Sequence, residues 1–293
     1  MAKFSPTEAV FAGFRFARER PAVLLIWAAF LLVVIAVATL ALFDLGGDQM
    51  TALMAASQQP TFDMAQLTKL SEGVEPASSF AMLLMIVFGS VLATAILRVQ
   101  TEPGQHPWGG LKLGGDELRV LGANLAVVLT LFFAWILVAL AADAAAEAGI
   151  PAAPILVLGA LLVLALHVRL SLTPVVAMTE KKISLLRSWA LTGKGFWRLL
   201  GAYALLTGFA LVLLVLIAIV FSALMAAVTA AGGGGNPVTI MMTGAYGGLN
   251  PLSVAVYMLM NLAQVWLAML ILAVGLRIGV DAYRAFKVDT PAA

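Results

Sequence analysis

A chain of 293 residues that is 62% hydrophobic and only 11% charged lacks the polar surface a soluble globule of this length must present to water. Its mean hydropathy of +1.04 agrees, and the formal charge of +2 with an isoelectric point near 9.0 does not indicate nucleic acid, because the bases lie in short segments between apolar runs, where membrane orientation accounts for them. The absence of cysteine removes disulfides, thiolate metal sites and cysteine nucleophiles together.

The polar head runs to Arg20 and does not fit a cleavable signal peptide, since Glu8 and Glu19 lie in it and the apolar run that follows is long enough to span a bilayer. Ser5-Pro6-Thr7-Glu8 reads as a capping box with proline at the first helical position, and Phe4 is placed to staple it. Beyond the cap, Val10, Phe14 and Ala17 recur at helical spacing while Arg15 and Arg18 are free to reach headgroups, which predicts an amphipathic helix on the inner leaflet. The uncharged run 22–43 is the first span. Residues 44–78, with Asp44, Gly46-Gly47, Gln58-Gln59-Pro60 and Pro76, predict an extracytoplasmic loop.

A second span covers 79–97 and stops at Arg98, and a glycine- and proline-rich connection leads to the third, 120–141. Asp143 and Glu147 lie past its outer end, where acids beyond a membrane boundary account for them better than a two-carboxylate cation site. The fourth span, 155–176, contains Arg169 and Pro174 and predicts a bent helix. Residues 179–198 combine Lys181, Lys182, Arg187, Lys194 and Arg198 with Trp189, Phe196 and Trp197, the pattern of a cytoplasmic interfacial helix. A fifth span over 199–228, an uncharged glycine-rich loop and a sixth span over 252–276 complete the pass. The GGGG at 232–235 lacks the lysine and helix of a phosphate-binding loop. The fold class is all-α, a polytopic membrane bundle of about six helices, read as a single membrane domain over 1–293.

Charge placement orients it. Of the 17 bases only Lys69 falls outside, leaving 16 inside, whereas seven of the 15 acids (Asp44, Asp48, Asp63, Glu72, Glu75, Asp143 and Glu147) fall outside. Lysine and arginine stay cytoplasmic, so both termini are expected there. Each even-numbered span ends in an arginine between branched apolar residues, in Leu97-Arg98-Val99, Val168-Arg169-Leu170 and Leu276-Arg277-Ile278. Each odd-numbered span follows a segment of helical character. Together these suggest three hairpins, each with a leading helix on the inner leaflet.

Two groups of residues are candidates for function. The basic rim of Arg98, Arg169, Arg277 and Arg198, with Trp189 and Trp197 beside it, suits anionic lipid phosphates. Asn124, His167, Asn261 and Gln264 are polar groups within spans; they suit a solute path or, more commonly, interhelical hydrogen bonds. Gly275 and Gly279 form a GxxxG that straddles Arg277, a weak packing signal. Neither a metal cluster nor an enzyme signature is visible, and no cofactor is expected.

The stretch from Arg169 to Leu205 resembles bacterial six-span proteins grouped with the membrane domain of glycerophosphoryl diester phosphodiesterases. Arg169, Pro174, Ser188-Trp189, Leu191-Thr192, Gly195, Phe196-Trp197 and Arg198 carry the resemblance. It implies a membrane module in the bacterial inner membrane, without the soluble catalytic domain and therefore without phosphodiesterase activity. The expectation is a non-enzymatic membrane protein that binds lipid or supports envelope homeostasis, the alternative a small-solute transporter or channel. Membrane lipids are the expected partners, nucleic acid is not one, and association with a second copy or another membrane protein stays open.

Overall fold

The structure, a computed structural model, describes residues 4–57, 64–102, 104, 106–193, 195–230 and 251–288. It is 91% helical, with no strand among the described residues. The helices are α1 (Pro6–Glu19), α2 (Pro21–Ser57), α3 (Met64–Thr101), α4 (Gly115–Glu147), α5 (Ala152–Leu170), α6 (Thr173–Thr179), α7 (Leu185–Gly193), α8 (Phe196–Ala230) and α9 (Pro251–Val288). A 3-10 turn at Pro107–Gly110 joins α3 to α4. Six stretches are long and apolar enough to cross a membrane: Pro21–Met50, Thr68–Thr101, Gly115–Glu147, Ala152–Thr179, Phe196–Leu224 and Met258–Lys287. Large apolar side chains left exposed on them, such as Leu40, Phe133, Leu158 and Val212, suit a lipid-facing surface. The chain is a multi-pass helical membrane protein.

The spans are longer than the apolar runs alone suggest. Residues 44–78 are not the predicted loop: α2 continues to Ser57, α3 already begins at Met64, and the connection falls at 58–63, outside the described residues. Alanine, leucine, methionine and glutamine dominate this stretch and favour helix, so the Gly46-Gly47 pair bends α2 at Gly47 (φ 51°, ψ −138°) without ending it. Met50, Ala56, Val74 and Ala77 are buried, so the helical extensions have a packed face. Gly46 lies against this face, its Cβ position 3.8 Å from both Val74 and Ala77, an ordinary packing distance. Asp63, Lys194 and the glycine-rich segment with 232–235 also lie outside the described residues.

The helices form two compact units, where the sequence suggests one domain. One unit comprises 24–89 and 208–270, including the α2 and α3 extensions and an edge contact between Phe30 and Phe88 (6.1 Å). The other comprises 1–23, 90–207 and 271–293 and holds every predicted rim residue. Helices α2, α3, α8 and α9 contribute residues to both.

In the rim-bearing unit, α1 is capped as predicted in one direction, the Glu8 amide donating to Ser5 Oγ at 3.4 Å, with Pro6 at the start. Phe4 packs on Phe286 of α9 (centroids 5.5 Å apart). Val10, Gly13 and Ala17 are buried, and Gly13 crosses α9 so closely that a Cβ would fall 2.9 Å from Val274 Cα. Helix α1 is therefore docked through its apolar face, with Arg15 and Arg18 exposed on the other. Before α4 there is no separate leading helix, only the 3-10 turn, because the glycines and prolines of 103–115 cannot sustain one; the predicted three lead-in helices become α1 and α7. The 179–198 segment likewise divides, with a left-handed Lys181 (φ 56°) separating α6 from α7, and α8 beginning at Phe196.

Helix α4 packs on α5 and α6, and α5 on α7. The α4 end is closed by a Schellman turn, the Ile150 and Gly149 amides donating to the Ala145 and Ala146 carbonyls with Gly149 left-handed (φ 75°). Short α6 is the core of the unit: Val175, Val176, Ala177 and Met178 are all buried, and Val175 lies against Gly279 of α9. Gly275 faces Leu206 of α8 instead, so the GxxxG does not form one seam.

Gly13→Ala is expected to destabilise the protein by about 1–3 kcal/mol, because backbone rather than a flexible side chain blocks the new methyl. Gly201→Ala, with nothing within 4 Å of its Cβ position, should be neutral or slightly stabilising. Thermal unfolding of the two variants in one detergent measures the contrast.

Candidate functional site

The fourth span is interrupted where α5 stops at Leu170 and α6 starts at Thr173, with Pro174 in its first turn. A helix end in a membrane leaves carbonyls that water cannot satisfy, and this sequence meets them with hydroxyls. Ser171 Oγ donates to the Val168 carbonyl (2.8 Å) and Thr173 Oγ1 to that of Leu170 (2.7 Å). The Arg169 carbonyl accepts from Ser188 Oγ (2.9 Å), and Thr192 Oγ1, one turn on along α7, lies 3.2 Å from it with its proton shared with the nearer Ser188 carbonyl (2.9 Å); both side chains are fully buried. Helix α7 is thus tied to the main chain of Arg169.

That tie determines what surrounds the Arg169 side chain. Its Cζ lies 5.2 Å from the Trp189 ring centroid and 5.0 Å from that of Phe196, in cation–π range of both. Gly193 leaves room, since a Cβ there would be 3.4 Å from Nη1. Gly195 is required at the turn into α8, where a side chain would enter the Phe286 ring. Phe196 and Trp197 stack edge to face at 5.2 Å. Together with Arg198, these residues and an apolar wall of Leu162, Ala165 and Leu166 line a cavity of about 600 Å³. No carboxylate forms an ion pair with Arg169 among the described residues. The site offers a guanidinium fork and a second exposed arginine beside an apolar slot, a match for an anion with a hydrocarbon part.

Four of the six predicted rim residues, Arg169, Trp189, Trp197 and Arg198, meet in this cavity. Arg98 does not belong to a headgroup rim: it is 5% exposed, its Nη2 donates to Glu117 Oε1 at 2.6 Å, and its Nη1 donates to the Gly110 carbonyl. It fastens the 3-10 turn and the start of α4 to α3. Arg277 donates through Nε to Asp281 (3.2 Å), one turn on, and lines a different cavity.

Of the polar residues considered for a solute path, Asn124 and His167 lie in the rim-bearing unit. Asn124 Nδ2 donates to Ser90 Oγ of α3 at 2.9 Å, which ties helix to helix. His167 and Gln264 are exposed on their helices, and Asn261 is half-buried. Asn261 and Gln264 also belong to the other unit. No group of three or more His, Cys, Asp or Glu side chains is placed to hold a metal ion among the described residues, and Asp143 and Glu147 are exposed.

The resemblance singled out Ser188 and Thr192 in the sequence, but not the backbone capping by which they build the site. A spacing of four between Ser188 and Thr192 puts both on one face of a short helix, and in an apolar chain that is a signal of backbone capping. Sequence reading also missed Gln100, buried and donating through Nε2 to the Ala273 carbonyl of α9 at 2.9 Å. Comparison with known proteins finds no matching family model, no matching curated protein and no matching solved structure.

The Arg98–Glu117 pair gives a prediction. Replacing either partner alone by leucine leaves a buried charge without its counter-ion and should cost about 3–5 kcal/mol, while the double replacement should recover most of that loss. A double-mutant cycle of unfolding free energies checks it.

Proposed function

We propose that this is a non-enzymatic membrane protein that binds anionic lipid in the Arg169 cavity, at the inner leaflet of a bacterial cytoplasmic membrane, in support of lipid or envelope homeostasis. The observation that carries the reading is an arginine without a carboxylate partner among the described residues, in range of two aromatic rings next to an apolar wall. A lipid phosphate supplies the missing counter-charge and an acyl chain covers Leu162, Ala165 and Leu166. The orientation rests on charge, with 16 of the 17 bases on the side assigned to the cytoplasm and anionic headgroups enriched there. Trp197, 78% exposed beside the cavity, has the amphipathic ring that favours the headgroup level.

The residues that carry the resemblance to the phosphodiesterase membrane domain fall in and around this cavity, which supports reading that motif as a lipid-binding element. Ser188 and Thr192 hold the main chain of Arg169, Trp189 and Phe196 hold its side chain, and Gly195 admits the ring that packs behind them.

Thermal unfolding in a neutral detergent, with phosphatidylglycerol or phosphatidylcholine added, tests the proposal. Phosphatidylglycerol should raise the midpoint by several degrees more than phosphatidylcholine, and Arg169→Gln should abolish the difference without changing the lipid-free midpoint greatly, since the hydroxyl bonds go to the Arg169 main chain. Equal stabilisation by the two lipids would remove the reading.

A further inference from the structure

A second cavity of about 440 Å³ lies in the same unit, between α1, the end of α3 and α9. Six charged residues line it: Arg15 and Glu19 from α1 and Arg20 at its C-cap, Glu102 just past α3, and Arg277 and Arg284 from α9. Four guanidiniums thus face two carboxylates. Of the four, Arg277 is engaged through Nε with Asp281, and Arg284 donates to the Gln100 carbonyl at 3.4 Å, while Arg15 and Arg20 are exposed and make no ion pair among the described residues. Even with Asp281 counted, positive charge prevails.

Gln100 adds an independent observation. It lines the cavity, is only 6% exposed, and its Nε2 donates to the Ala273 carbonyl. A carbonyl can only accept, so the amide orientation is determined, and Oε1 is the end left over. That oxygen is buried and has no hydrogen-bond partner. Leaving a buried acceptor unmade is costly, and such an atom in a native site calls for a donor. An anion alone does not meet the need, because the phosphate oxygens that suit the arginines are acceptors too.

We infer that this cavity binds a phosphate ester whose alcohol part carries a hydroxyl group, the phosphate on the arginines and the hydroxyl donating to Gln100 Oε1. A hydroxyl fits better than an ammonium because the lining is already net positive. The same chemistry occurs on a lipid headgroup and on a small soluble phosphate ester. The site shares no residue with the Arg169 cavity.

Matched probes of equal charge test the inference on the full chain in phosphatidylcholine nanodiscs. In the soluble arm, calorimetry compares 2-hydroxyethyl phosphate with ethyl phosphate. In the lipid arm, native mass spectrometry of the Arg169→Gln protein, in which the other anion site is removed, compares retention of phosphatidylglycerol with that of phosphatidylethanol. The hydroxylated member should bind about five- to tenfold more tightly in one arm or both, the gain of one hydrogen bond to a buried acceptor. A preference in the soluble arm identifies a free phosphate ester, and one confined to the lipid arm a headgroup. Gln100→Leu should erase the preference, and Arg15→Gln with Arg20→Gln, both at exposed positions, should weaken both members tenfold or more. In the soluble arm Arg169→Gln should leave these values unchanged, which separates this site from the lipid reading above. Absence of binding in both arms, equal binding of the matched pair, a preference that survives Gln100→Leu, or affinity that survives loss of the two arginines would each overturn the inference.

Discussion

The break in the fourth span is the constraint on which the site depends. A membrane helix that stops must have its last carbonyls met from within the protein, because lipid offers no donors. Here the Val168, Arg169 and Leu170 carbonyls are met by the hydroxyls of Ser171, Ser188 and Thr173, with Thr192 Oγ1 also in reach of the Arg169 carbonyl. Two of those hydroxyls come from α7, so satisfying the backbone also brings the Trp189 ring over the Arg169 guanidinium. Phe196 follows three residues after α7, and Gly195 makes its placement possible by leaving space for Phe286. A backbone hydrogen-bonding requirement thus assembles an aromatic cage around a charge.

Three arginines in nearly identical sequence surroundings have three different fates. Arg98 is neutralised by Glu117 and buried, Arg277 is paired along its own helix with Asp281, and Arg169 is held by rings with no carboxylate partner among the described residues. Neutralised arginines hold elements together, whereas one without a counter-ion retains attraction for an anion. The flanking residues of all three are branched and apolar, so local sequence cannot separate them. The distinction comes from Glu117, 19 positions beyond Arg98, and from Trp189, 20 beyond Arg169.

The six spans and the bend in the fourth were legible because long uncharged runs and an internal proline leave few alternatives. Span ends were not. A hydropathy boundary marks where apolar character stops, whereas a helix continues as long as its residues favour helix and one face finds packing, as Met50 and Val74 do past the expected ends. The amphipathic character of α1 was legible in its charge pattern, but its docking on α9 through Gly13 was not, since a close crossing depends on a partner 261 residues away. Of the site, aromatic and basic composition pointed to the right segment; the capping hydroxyls and the orphaned Gln100 oxygen become visible only when donors and acceptors are counted in three dimensions.

An amphiphilic anion at Arg169 is the central claim, and a photo-crosslinking residue at Leu166, on the apolar wall of that cavity, tests it most directly. Irradiation in membranes of mixed, known lipid composition should yield adducts enriched several-fold in anionic phospholipid over its share of the bilayer, with the enrichment lost in Arg169→Gln. Adducts that mirror the bulk lipid composition in both proteins would contradict the account.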